Sequence, residues 1–134
     1  MKFTAATLFF FLGASMATAT AEPVSSAVTN DCLALGGLLD TRGLVGTEHR
    51  KCSDHPLQHD SLQKRSCAVR NYGCEKGYCW KKCREGKDQP WCWMAKNYGS
   101  GAWNTCGKDS ECEPSKLGAS DCGVCNKGTC GCTC

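Results

Sequence analysis

The sequence predicts a small disulfide-rich fold, mainly β with short hairpins, room for one short helix and a minimal hydrophobic core. Three observations carry that reading. Fourteen of the 134 residues are cysteine, above the roughly 8–10% at which a short chain is read as a disulfide scaffold. There is no isoleucine, and all four phenylalanines (Phe3, Phe9, Phe10, Phe11) fall within the first eleven residues. The remainder of the chain lacks the stock of a conventional core. Turn signals such as Glu75-Lys-Gly77, Gly86-Lys-Asp88, Asn97-Tyr-Gly99 and Asn126-Lys-Gly128 come close together. Between them lie runs rich in Cys, Trp and Tyr, which suit strands.

The N-terminus explains the phenylalanines. Lys2 is a short positive region, Phe3 to Ala14 is mostly apolar, and small residues end in Ala19-Thr20-Ala21. This is the pattern of a secretory signal peptide over residues 1–21, cleaved after Ala21. The apolar run is too short to span a bilayer. A secreted, extracellular location is expected, where thiols become disulfides.

Beyond residue 21 the composition changes near Lys64-Arg65. Segment 22–65 holds seven leucines, all three histidines (His49, His55, His59) and two cysteines, Cys32 and Cys52; its net charge is −1. Segment 66–134 holds all four tryptophans and the other twelve cysteines, with net charge +3. Both cysteine counts are even, so each segment can close its own bridges. Lys64-Arg65 is a candidate dibasic processing site that makes 22–65 a candidate pro-segment and 66–134 a cysteine-rich domain. Asp31 to Leu39 suits a short helix interrupted at Gly36-Gly37, because two glycines cost roughly 2 kcal/mol of helix propensity. Pro56 disfavours a helix through His55, so the histidines read as surface residues.

In the cysteine-rich domain, Asn71-Tyr-Gly73 adds another turn signal, and a further helix is expected to be short, around Cys79-Trp-Lys-Lys-Cys83. Met94 to Gly99 repeats the local pattern of Ala68 to Gly73, which reads as chance within a biased composition. On a strand, Trp91-Cys92-Trp93 turns both indoles to one face and the cysteine to the other. If Cys130-Gly-Cys132-Thr-Cys134 is extended, its three cysteines share one face and bridge to other segments. The remaining bridge-forming cysteines are Cys67, Cys74, Cys79, Cys83, Cys92, Cys106, Cys112, Cys122 and Cys125. Too few apolar side chains exist to offset a chain entropy of order 1.5 kcal/mol per residue. Closing a loop of about 15 residues with a disulfide contributes roughly 3 kcal/mol, so the bridges must hold the fold.

Function classes narrow quickly. A net charge of +3 argues against a nucleic-acid partner, which needs a concentrated basic face. Segment 66–134 has no histidine, so Ser-His-Asp and Cys-His catalysis cannot form within it. Its seven carboxylates show no selected pair, and no enzyme is expected. Cys122-Gly-Val-Cys125 with the terminal CxCxC has a spacing that can gather thiolates for zinc or Cu(I). Oxidation after secretion opposes that use, and no metal or cofactor is expected. The candidate binding residues are Trp80, Lys81, Lys82, Arg84, Trp91, Trp93 and Trp103, because indoles beside cations stack on sugars, sit at membrane interfaces or anchor proteins. With so few aliphatics, most of these indoles are also expected to serve as core.

Gly77-Tyr-Cys-Trp-Lys-Lys-Cys83, Gln89-Pro-Trp-Cys-Trp93, Gly101-Ala-Trp103 and Cys130-Gly-Cys-Thr-Cys134 form a series that resembles small secreted cysteine-rich proteins of filamentous fungi. These include effector-like and vegetative-incompatibility-induced proteins. The resemblance covers about residues 66–134. It implies secretion and interaction with a host or competitor, without catalytic residues: a non-enzymatic effector or toxin-like protein that binds a host or competitor protein, glycan or membrane surface. A monomer is expected. An antimicrobial or glycan-binding protein, or a protease inhibitor using Gly86-Lys-Asp-Gln-Pro90, is the alternative.

Overall fold

The computed structural model describes residues 30–58, 66–127 and 130–134. Ala21, His59 and Lys64-Arg65 lie outside the described residues. One four-stranded antiparallel sheet organises the rest: β1 (Tyr72–Glu75), β2 (Tyr78–Lys82), β3 (Trp91–Ala95) and β4 (Asp121–Cys122), in spatial order β1-β2-β3-β4. The disulfide-rich, mainly-β expectation holds.

The β1–β2 hairpin is tight because Lys76 and Gly77 both take positive φ, 46° and 85°. A two-residue turn of that hand matches the twist of the flanking strands. Cys79-Trp-Lys-Lys-Cys83 is not helical. Cys79 to Lys82 belong to β2, in register Cys74↔Cys79 and Trp80↔Trp93, because cross-strand partners on both sides outweigh the i,i+4 coincidence. Helical turns occur elsewhere, as 3-10 turns at Leu33–Leu35, Asp109–Glu111 and Pro114–Lys116. The first follows the leucine run and stops at Gly36, as its glycines required.

Asn71-Tyr-Gly73 is also no turn. Gly73 sits within β1 opposite Trp80, and a Cβ there would lie 2.8 Å from the Trp80 ring. The glycine is needed for close approach of the indole to the neighbouring strand. The two Asn-Tyr-Gly segments thus differ, since Tyr98-Gly99 forms a left-handed turn.

The sheet buries residues on both faces. Trp80 and Trp93 pack with Ala68 on one face, flanked by Tyr78, Trp91, Trp103 and Leu57. Cys79, Met94 and Cys112 form the other layer, with Tyr72, Cys74, Cys106 and Leu117. The period-two reading of Trp91-Cys92-Trp93 is observed: the two indoles meet edge to face at 5.0 Å, while Cys92 bonds Cys122. Where β2 and β3 diverge, the Asn104 N–H donates to the Met94 carbonyl and the Asn104 carbonyl accepts from Cys79, each at 2.9 Å.

All fourteen cysteines are paired. Cys32–Cys52 closes the N-terminal segment on itself. Cys67–Cys134, Cys74–Cys106, Cys79–Cys112, Cys83–Cys132 and Cys92–Cys122 tie distant parts of 67–134 together. The terminal motif departs from expectation in one member. Cys130 closes a local loop with Cys125, and only Cys132 and Cys134 reach other segments. Alternation along the end is broken by turn and bend backbone at 130–132.

His55 overturns the surface placement expected of it. His55 is fully buried, stacked on Trp93 with ring centroids 4.2 Å apart and edge-on to Tyr78 and Trp103. His49 is half-buried. Pro56 prevents a helix but not burial, since the 30–58 segment lies across the aromatic face of the sheet.

Candidate functional site

The aromatic face does not close completely. Beside Trp80 and Trp91 lies an open groove of about 590 Å³, lined also by Ser66, Cys67, Ala68, Val69, Arg70 and Glu75. Its size falls in the range of small-ligand sites. Trp80 is mostly buried at 8% exposure, and its ring centroid is 5.8 Å from that of the half-buried Trp91. The Ser66 carbonyl accepts the Trp91 indole N–H at 3.0 Å, which fixes the ring at the groove wall. The Arg70 guanidinium lies 5.6 Å from the Trp80 ring centroid.

Arg70 also pairs with Asp109, whose other oxygen accepts the Cys74 N–H at 2.7 Å. That backbone bond first, then the guanidinium, holds the Asp109 carboxyl below its ordinary value.

The candidate cations divide differently from the sequence expectation. Lys81, Lys82 and Arg84 border a second, shallow cleft with Tyr72 and Pro114, away from Trp80. Lys81 is paired with Asp121 at 2.7 Å. Burial alone would raise the Asp121 carboxyl, but the Lys81 ammonium and the Cys122 N–H outweigh it and leave it lowered. Lys82 donates to the carbonyls of Val69 and Gly86. Lys81 is thus engaged with strand β4 and Lys82 with loop carbonyls, which leaves Arg84 as the exposed cation of that cleft. Trp93, buried, and Trp103, half-buried, both pack against His55.

Arg50 is the residue that sequence reasoning missed. Its guanidinium lies 4.1 Å from the Trp103 ring centroid and donates to the carbonyls of Gly99 (2.6 Å), Gly101, Ser53 (3.0 Å) and Val124. Burial lowers its pKa to about 10, against an opposing pull from Asp54. One cation thereby joins three loops from both segments. Nothing in the local sequence distinguishes it from other arginines.

His49 makes a Ser–His contact, Nδ1 to Ser100 Oγ at 2.9 Å. It arises across the two segments, a combination that counting histidines within 66–134 does not cover. Ser100 is 2% exposed, and its hydroxyl donates to the Asn97 carbonyl at 2.8 Å. The serine hydroxyl is thus anchored to backbone, and the contact braces a buried loop.

Three cysteine-containing groups lie close enough to hold a metal, Cys83, Cys92, Cys122 and Cys132 among them. Every cysteine in them is in a disulfide, so no thiolate is offered.

The fold and groove define a disulfide-stapled small β protein with an aromatic-walled surface groove. No family model matches the chain, and no solved structure matches it. Among curated proteins it is similar to Allergen Tha p 2 of Thaumetopoea pityocampa, at 37% identity over 60 residues. That alignment takes in 40% of this chain and 51% of the allergen. The chain thus spans about half the length of the curated relative that it matches. No helix among the described residues is long and apolar enough to cross a membrane.

Proposed function

We propose that this is a secreted, toxin-like or allergen-like protein that acts by binding an extracellular target without catalysis, with the Trp80–Trp91–Arg70–Glu75 groove as its contact site. The groove itself carries the reading. In a protein this short of aliphatic core material an indole pair also walls a surface groove, and seven disulfides keep that wall rigid in advance of binding, which lowers the ordering cost. The signal-like N-terminus and complete pairing of the cysteines support secretion. The resemblance to fungal effector-like proteins and the similarity to an insect allergen both support an extracellular role towards another organism. The buried Ser100 hydroxyl and paired cysteines supply no activated nucleophile, which supports a non-enzymatic action.

The test compares wild type with Trp91→Ala and Arg70→Ala on tissue that responds to the wild-type protein. Retained near-UV circular dichroism with a lost response supports the groove. A full response from both folded variants refutes it.

A further inference from the structure

The lining of the groove narrows what it can take. We propose that the groove binds a neutral, β-1,4-linked pyranose chain of the kind found in structural polysaccharides. This names the ligand class of the groove proposed above and rests on that reading.

Much of the backbone beside the groove is already in use. Ala68 exchanges both of its main-chain bonds with Gln89, at 2.9 and 3.3 Å. The Cys74 N–H of edge strand β1 is held by Asp109, the Val69 carbonyl by Lys82 and the Ser66 carbonyl by Trp91. An extended peptide recognised by strand addition needs a free row of such groups. Recognition is therefore left to side chains.

Those side chains supply opposite polar functions. Arg70 carries five N–H donors and commits one nitrogen to Asp109. Glu75, exposed at the end of β1, pairs with Tyr78 through the sheet, and its carboxylate makes no hydrogen bond or ion pair among the described residues. The groove thus offers a donor group, an acceptor group and an indole wall. Arg70 precedes β1 and Glu75 ends it, so the two polar groups meet the groove at different points of its wall. A hydroxyl both donates and accepts, so one neutral sugar edge satisfies both ends. An anion would meet Glu75 and a cation would meet Arg70, each unfavourably. Equatorially linked β-1,4 rings form a straight, flat ribbon whose C–H faces lie along an indole wall, whereas an α-1,4-linked chain curves away from a wall of two indoles.

Titration of the intact secreted protein with N-acetylglucosamine hexamer, cellohexaose and maltohexaose, followed by Trp fluorescence and calorimetry, tests this. Saturable binding of one or both β-linked oligomers, with none for maltohexaose, is expected. The first two arms distinguish chitin-type from cellulose-type chains. Trp91→Ala should weaken binding about tenfold, the effect of losing one aromatic anchor. Glu75→Gln alters an exposed side chain, keeps the fold, and should weaken it severalfold. Absence of saturable binding by both β-linked oligomers, or unchanged binding in Trp91→Ala and Glu75→Gln alike, overturns the proposal. If the oligomers fail while Trp91→Ala still loses the biological response, the sugar assignment falls and the groove reading stands.

Discussion

Tyr98 shows how much a single side chain can tell. Asn97 and Tyr98 have φ of 49° and 52°, and the Gly99 N–H closes the turn on Lys96 at 3.1 Å. Glycine is the usual second residue of such a turn; a tyrosine there pays roughly 1–2 kcal/mol and is still 65% exposed. Glycine would lose about 0.5–1 kcal/mol in chain entropy, so Tyr98→Gly should stabilise the fold by about 0.5–1 kcal/mol. A denaturant midpoint below that of wild type contradicts this. Asp109 gives a second prediction. Its carboxyl is held below 3.8 in the folded protein, so its contribution is complete above that value and is lost as pH falls through the lowered one. Thermal midpoints measured from pH 5 to pH 2 should fall less steeply in Asp109→Asn than in wild type. Equal slopes would remove Asp109 from the acid response.

Among elements, strands and bridges differ in how local they are. Trp91-Cys92-Trp93 is legible because alternation is a property of neighbouring residues. The β2 segment reads as helical because Cys79 and Cys83 fit either period, and only pairing with β1 and β3 decides. Edge strand β1 is blunted by Asp109 on the Cys74 N–H, a protection against strand addition that no local pattern announces. Bridges differ in the length of loop they close. Cys67–Cys134 spans 67 positions and Cys125–Cys130 only 5. By the chain-entropy relation, removing the first costs about 4 kcal/mol and the second about 2 kcal/mol. Paired Cys→Ser variants, compared by urea unfolding, should keep that order; the reverse order would show that native contacts, not loop closure, set the cost.

For the whole molecule, the described N-terminal residues and the cysteine-rich part share a core without sharing a disulfide. Arg50 and His55 enter the aromatic face, and Asn126 donates its N–H to Ser53 Oγ at 2.8 Å and its side-chain amide to the Leu38 carbonyl. A protease site inserted between Gln58 and Ser66 should therefore yield two chains that stay together in native buffer. Denaturant without reductant should separate them. Separation in native buffer would show that these contacts do not hold the segment. The sequence by itself determined the disulfide class, the mainly strand-and-turn character and the Trp91-Cys92-Trp93 strand, because composition and period-two alternation are local. The tertiary structure alone decided which cysteines pair, that His55 is interior, that Lys81 and Lys82 are engaged, and that Trp80 and Trp91 border a groove with Arg70 and Glu75. Each of those depends on contacts between residues far apart in the chain, where burial and partner geometry outweigh local preference.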